Sequence, residues 1–270
     1  MEIYLDTNAI NYLFEREGYT PHVLDEIRTR LRNAVCSGSL IVMADTTLLE
    51  ELAGTAYRNN AKYQRMFDYI HGLIGSNWLL PLNERVKCEA NLKRPLKDQE
   101  RMLVSSPTND LSTVLEVSDD SYERKKKFKQ DHDASRSTLI DQFGRAPLMA
   151  NAKAWWAEAE RIIPGWVIDY FEASQDILDL PKDRSQWPLP KEVPSAWNFI
   201  TYYLARLWMN LGKGSRIVPS DENDARHYSA AAYANVMVTD DAAFIETYAE
   251  IPNTPFKLER FSDFVKTLKS

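Results

Sequence analysis

Ile3-Tyr4-Leu5-Asp6-Thr7-Asn8, near the start of the chain, is the stretch on which the predicted fold depends. Its first three residues are wholly apolar, as expected for a central parallel strand that is covered on both faces. Thr7 and Asn8 follow directly and could cap a helix that begins near Ala9. Asp6 is therefore predicted to stand at the carboxyl end of the first strand, where open α/β sheets bind their ligands.

Strands and helices continue to alternate over the N-terminal third of the chain, as the hydrophobic periodicity indicates. The next predicted elements are a helix after Pro21 that stops at Gly38, a strand over 40–43, a helix capped by Asp45 or Thr46, a helix over 61–73 and a strand over 78–82. This order favours a parallel sheet with helical crossovers.

The alternation stops between about residues 84 and 211. Helical patterns cover 150–163 and 166–178, whereas 112–117 is a weak candidate for a strand. The segment from Pro181 to Pro194 contains four prolines, so it is predicted to be an extended connector.

Near the end of the chain the α/β pattern resumes. The predicted elements are a helix over 221–234, a strand over 236–239, a short helix over 244–248 and a last strand over 256–258. The simplest architecture is one α/β domain, formed by residues 1–83 and 212–270, that is interrupted by a mainly helical insertion over 84–211.

Composition and charge limit the classes of protein to which this chain can belong. The 270 residues carry a formal net charge of -6, which counts mildly against a nucleic-acid binder, although clustered site carboxylates are themselves acidic. No apolar run approaches the roughly 18 residues that cross a bilayer, and the N-terminus lacks a basic start, so we expect a cytoplasmic protein without membrane contacts. Cys36 and Cys88 show no metal-ligand spacing and are predicted to be reduced and buried.

Four acidic residues stand at positions where chemistry is expected, and each also has a structural interpretation. Asp6 follows a strand but could merely cap a helix, and Asp241 follows the strand over 236–239 and could do the same. Glu51 lies beside Glu50 on a helix, where glutamates are usually solvated. Asp224 lies in the first turn of a helix, where a negative charge suits the helix dipole.

Taken together, the acidic segments resemble the motifs of PIN-domain nucleases. The first segment, Ile3 to Asn8, is similar to the opening strand and acidic motif of that family, and Leu49-Glu50-Glu51-Leu52 is similar to the second motif. Asn223-Asp224-Ala225 and Val238-Thr239-Asp240-Asp241-Ala242-Ala243-Phe244 resemble the third and fourth. The resemblance covers about residues 1–83 and 215–262, and the middle of the chain departs from the compact family pattern.

The resemblance implies a three-layer α/β sandwich with a parallel sheet and an acidic cluster that holds one or two Mg²⁺ or Mn²⁺ ions. Carboxylates supply the oxygen ligands that these ions require. The implied catalytic and metal-binding residues are Asp6, Glu51, Asp224 and Asp241, with Asp240, Asp221 and Thr239 as alternative or supporting ligands. The family pattern favours Glu51 over Glu50 and Asp241 over Asp240, but the sequence leaves both choices open.

Several further residues are candidates for substrate binding. Thr7 or Asn8 could bind a phosphate or orient Asp6, and His227, one turn after Asp224, could contact a substrate phosphate. The basic run around Lys125, Lys126 and Lys127 could grip a phosphate backbone, or form a solvated helix face. Six tryptophans fall in the second half, where they could stack on bases or build a helical core. Trp155 and Trp156 are adjacent, so we expect one of the two rings to face outward.

The resemblance implies hydrolysis of phosphodiester bonds, most often in single-stranded or structured RNA. One form would be a toxin-type ribonuclease restrained by an inhibitory or regulatory protein partner, and a homodimer is compatible with this reading. The alternatives are a DNA nuclease and a non-catalytic PIN scaffold that binds RNA or protein. A haloacid-dehalogenase-like phosphatase is disfavoured because Asn8 occupies the position of its second aspartate.

Overall fold

A computed structural model describes residues 1–107, 126–127, 130, 134, 152–213, 218 and 220–268. The strand predicted over 112–117 and the side chain of Lys125 lie outside this described part of the chain.

One parallel sheet joins the two ends of the sequence. Its strands are β1 (Glu2–Leu5), β2 (Ile41–Met43), β3 (Val236–Val238) and β4 (Lys257–Glu259), in the order β2-β1-β3-β4. Tyr4 of β1 is in register with Met43 of β2 and with Met237 of β3. The prediction of an α/β fold with a parallel sheet is confirmed.

Helices cover the sheet on both sides. The described helices are α1 (Thr7–Phe14), α2 (Pro21–Cys36), α3 (Thr46–Arg58), α4 (Asn60–Ile74), α5 (Leu82–Leu92), α6 (Ala152–Ala173), α7 (Gln175–Leu178), α8 (Pro194–Lys213), α9 (Asp221–Ala231), α10 (Ala242–Glu250) and α11 (Phe261–Thr267). Within the described ranges, none of the helices combines the length and the apolar character that a bilayer crossing requires.

Alternate residues of each strand point to two separate hydrophobic cores, as the two-residue period of a strand dictates. Ile3 and Leu5 belong to the core shared with α1 to α4 and α11. Tyr4 belongs to the other core, which includes α5, α6 and α8 to α10. The helices over 84–211 that the structure describes therefore share a core with one face of the sheet.

The strand predicted over 78–82 is wrong. Trp78 makes a single bridge to Ala44, and Leu79 makes a single bridge to Met102. Pro81 has no N–H to donate to a ladder, and α5 already begins at Leu82. The apolar run is instead a buried connection between α4 and α5.

The two helices predicted over 150–163 and 166–178 are one long helix followed by a short one. Pro164 lies inside α6, although a proline removes one backbone hydrogen bond from a helix. Ile163, Val167 and Phe171 are each at most 2% exposed, so tertiary packing holds the helix on both sides of the proline. The connector over 181–194 contains two short 3-10 turns.

Two predictions about burial are also wrong. Trp155 and Trp156 are both buried, at 1% and 6% exposure, because α6 is covered on more than one side, and Trp155 stacks on Trp208 with ring centroids 5.8 Å apart. Cys36, at the end of α2, is exposed, and Cys88 is half-buried.

Gly72 inside α4 and Gly75 directly after it offer a matched test of backbone conformation. Gly75 ends the helix with φ 58° and ψ -116°, and its N–H donates to the carbonyl of His71. We expect Gly75→Ala to lower the free energy of unfolding by about 1–2 kcal/mol, the cost of a side chain at positive φ. Gly72→Ala, inside the same helix and facing open space, should raise it by about 0.5–1 kcal/mol. Urea denaturation measures the change in the free energy of unfolding for each variant. Changes of the same sign in both variants would refute this account.

Candidate active site

Asp6 lies where β1 ends and connects the first strand to the last part of the chain. Its Oδ1 caps α1 by accepting the N–H of Ala9 at 2.7 Å. Its Oδ2 accepts a hydrogen bond from Thr239 Oγ1, directly after β3. The carboxyl ends of two neighbouring strands are thus linked through one carboxylate.

Glu51 on α3 is the point at which three distant segments meet. Its carboxylate accepts hydrogen bonds from Thr7 Oγ1, from Asn223 Nδ2 at 2.9 Å and from His227 Nε2 at 3.1 Å. The neighbouring Glu50 is also buried, but its charge faces Arg226. Of the two glutamates that the sequence offered, Glu51 lies in the acidic cluster.

Asp241 and Asp240 point in different directions. Asp241 caps α10 by accepting the N–H of Phe244 at 2.8 Å, and it also accepts Asn8 Nδ2 at 3.3 Å. Asp240 instead pairs with Arg16 at 2.8 Å. The structure therefore brings Asp241 toward the residues that follow β1, whereas Asp240 has a cationic partner on the α1 side.

Asp224 and Asp221 on α9 complete the acidic group. Burial raises the pKa of Asp224 well above its usual range, and the charges of Asp241, Asp221 and Glu51 raise it further. Asp221 has dedicated partners, since Arg206 Nη2 lies 3.0 Å from its Oδ2. Asp221 consequently supports the packing of α9 against α8, while Asp224 faces other acids.

The electrostatics of the cluster are dominated by buried charge. Burial raises the pKa of Asp6 to about 7, against hydrogen bonds from Thr239 and Ala9 that lower it. Burial alone would lower the pKa of His227, but Glu51, Asp45 and Asp6 raise it to about 9. His227 is therefore a buried imidazolium at neutral pH. Its charge and hydrogen bond outweigh the desolvation of Glu51 and lower the pKa of that carboxyl to about 2.

A chain of buried polar residues contacts Nδ1 of His227, the ring nitrogen that does not face Glu51. The sequence did not predict this chain. Tyr4 Oη lies 2.7 Å from His227 Nδ1 and donates to Asp45 Oδ1 at 3.1 Å. Arg85 Nη1 then lies 3.2 Å from Asp45 Oδ2, and neither side chain of this pair is exposed. The available signal was Asp45, which follows β2 as Asp6 follows β1, and Tyr4, which carries the polar group of the first strand.

The acidic cluster has the donor chemistry of a cation site but not a preassembled ligand set. Among the described residues, no group of three or more acids, histidines or cysteines stands ready to hold a metal ion. Asp6, Glu51 and Asp241 are each engaged by hydrogen bonds from Thr, Asn or backbone N–H groups. The raised pKa values of Asp6 and Asp224 mean that burial disfavours their charged forms, and carboxylate oxygens are the donors that suit Mg²⁺ or Mn²⁺.

The remaining substrate-binding candidates lie in two different places in the structure. Thr7, Asn8 and Thr239 all donate hydrogen bonds to acids of the cluster, and His227 contacts Glu51 directly. Lys126 and Lys127 are exposed on a helical segment, and Lys127 lines a cleft beside Trp166 and Arg226.

Comparisons of the chain with protein families, with curated proteins and with solved structures give no match.

The ionisation of His227 predicts how stability depends on pH. A base whose folded pKa is raised from 6.5 to about 9 stabilises the fold fully below pH 6.5, and this contribution is lost as the pH rises through about 9. Urea denaturation should therefore show the unfolding free energy of the wild type falling over that window. In His227→Gln the fall should be shallower.

His22→Gln is the matched control, because His22 is exposed on α2. It should keep the wild-type slope. A His227→Gln variant whose slope equals that of the wild type would mean that His227 is neutral in the folded protein.

Proposed function

We propose that this protein is a metal-dependent nuclease related to PIN domains, which hydrolyses phosphodiester bonds, most often in RNA. One observation carries the proposal. Asp6, Glu51, Asp224 and Asp241 come from four separate segments and converge beyond the carboxyl ends of β1 and β3, where open α/β sheets bind ligands.

Charge supports a cation at this place. Asp224 is surrounded by Asp241, Asp221 and Glu51, and like charges held together without a cation are costly. Asp6, Glu51, Asp224 and Asp241 would hold Mg²⁺ or Mn²⁺ after small side-chain movements, since each carboxylate oxygen has a second lone pair. Such an ion, when bound, lowers the pKa of a coordinated water and stabilises charge on the phosphate.

The other residues of the site would orient these acids and contact the substrate. Thr7 and Asn8 fix Glu51 and Asp241 through hydrogen bonds, and Thr239 fixes Asp6. His227 brings a positive charge into an otherwise acidic site, which would attract a phosphate oxygen once the acids are neutralised.

A non-catalytic scaffold is the second candidate, and one observation favours it. Asp6 and Asp241 are both N-caps, of α1 and α10, so their presence at these positions has a structural explanation. Asp224 and Glu51 lie within α9 and α3 and are not N-caps. A DNA nuclease shares all of the metal chemistry and is separated from a ribonuclease only by the substrate.

The decisive prediction concerns cleavage. Labelled single-stranded RNA should be cut in the presence of Mn²⁺, and labelled DNA should be cut more slowly. Asp6→Asn and Asp224→Asn should each reduce the rate by at least about 100-fold, because each removes a carboxylate that would hold the metal ion. Gel electrophoresis of timed samples measures this rate.

Asp68→Asn is the matched control, because Asp68 is exposed on α4 and the change keeps its size. It should cut like the wild type. If the wild type shows no metal-dependent cleavage of either polymer, the scaffold takes precedence, and faster cleavage of DNA would reverse the substrate preference.

Metal binding also predicts a pH-dependent gain in stability, independent of any substrate. Protons and cations compete for Asp6, whose pKa is about 7, so Mn²⁺ should raise the melting temperature more at pH 8 than at pH 5. At a metal concentration 100 times the dissociation constant, the gain is about 2.7 kcal/mol. Asp224→Asn should remove most of it, whereas Asp68→Asn should not. Equal shifts at both pH values would argue against binding by these acids.

A further inference from the structure

The cleft that Lys127 lines lies beside the acidic cluster, and none of the four acids Asp6, Glu51, Asp224 and Asp241 lines it. It has a volume of about 380 Å³, within the range of roughly 300–1,000 Å³ that small-molecule sites occupy. Its lining combines aromatic rings with one ion pair, namely Trp166, Tyr170, Phe199, Tyr203, Glu222 and Arg226.

The aromatic side chains form two pairs that belong to α6 and α8. The rings of Trp166 and Tyr203 have centroids 5.7 Å apart, and those of Tyr170 and Phe199 are 6.0 Å apart. Trp166 and Tyr170 are half-buried, so part of each ring borders the cleft. Walls of this kind accept a flat ring, because stacking on aromatic side chains is favourable for every base.

A buried ion pair lies at the α9 side of the cleft. Arg226 Nε donates to Glu222 Oε1, and the exposure of the two side chains is only 8% and 3%. The charges of Glu222 and Glu50 outweigh the burial of Arg226 and raise its pKa, so the guanidinium stays charged. A guanidinium donates hydrogen bonds and a carboxylate accepts them, and the edge of a nucleobase presents both complementary kinds of group.

The position of the cleft connects it to the acidic cluster. Glu222 and Arg226 lie one turn apart on α9, and each is followed directly by a residue that contacts Glu51, namely Asn223 and His227. Successive residues of a helix are rotated by about 100°, so the cleft and the acidic cluster occupy adjoining sides of α9.

We propose that this cleft binds a nucleobase of the substrate, which stacks on the half-buried rings of Trp166 and Tyr170 and is read by Glu222 and Arg226. The proposal rests on the proposed function for the identity of its ligand. It adds a base-binding site that lies outside the acidic cluster and that would make cleavage depend on the base next to the scissile bond.

The test is the binding of GMP, AMP, CMP and UMP to the full chain without metal, measured by calorimetry and by saturation-transfer NMR on the base protons. Ribose 5-phosphate, which lacks a base, is the ligand control. We expect at least one nucleotide to bind and ribose 5-phosphate not to bind. Trp166→Ala should weaken the affinity about tenfold, in line with the loss of one stacking partner.

Ala173→Trp provides a second variant that leaves the core intact, because Ala173 is exposed at the end of α6 and lines the cleft. Its added ring should fill the cleft and abolish nucleotide binding. Trp197→Ala is the matched control, since Trp197 is a half-buried tryptophan of α8 that lines a different cleft. It should bind nucleotides like the wild type.

Three results would overturn the proposal. They are equal binding of ribose 5-phosphate and the nucleotides, an affinity that Ala173→Trp leaves unchanged, and no nucleotide binding at all, which would favour an apolar side chain of a protein partner as the occupant. Asp6→Asn should still bind nucleotides, so the two proposals fail separately. Cleavage without nucleotide binding refutes only the base site, and nucleotide binding without cleavage refutes only the nuclease.

Discussion

The contact between Glu51 and His227 is the interaction on which the site depends. Glu51 lies in the N-terminal half, and His227 lies 176 residues later on α9. Both groups are charged in the folded protein, since each shifts the pKa of the other toward its ionised form. Removing one member of a buried ion pair leaves the other charge uncompensated, at a cost of about 3–5 kcal/mol. That is a large fraction of the total stability of a typical domain, about 5–15 kcal/mol.

This contact also fixes the relation between the sheet and the helices above it. Tyr4 of β1 touches His227 on one side and Asp45 on the other, and Arg85 of α5 pairs with Asp45. One polar chain thus runs from Arg85 of α5 through Asp45 and Tyr4 to His227 of α9. Because these polar contacts are directional, they restrict how the three elements can be arranged more narrowly than apolar packing does.

The sequence predicts β1, β2 and β3 well because these strands are short and apolar. Asp6, Thr239 and Asp241 are found at the edge of the sheet where parallel topology puts the residue after each strand. The choice between Glu50 and Glu51 could not be made from helical periodicity, because Glu50 is buried and Glu51 is partly buried, and only their tertiary contacts distinguish them. The burial of both Trp155 and Trp156 was missed for a related reason. Amphipathic patterns assume one covered face, and α6 is covered on more than one.

The helix α9 explains why Asp224 differs from the charged residues beside it. Most of its eleven residues are buried, and the charged ones among them must find partners because unpaired buried charge is costly. Asp221 pairs with Arg206, Glu222 with Arg226, and His227 with Glu51.

Asp224 is the exception in this pattern. Arg206 and His227, which are described and lie near Asp224, already pair with Asp221 and Glu51. Burial and repulsion from neighbouring acids therefore raise its pKa, so the fold favours the protonated, uncharged form of this one carboxyl.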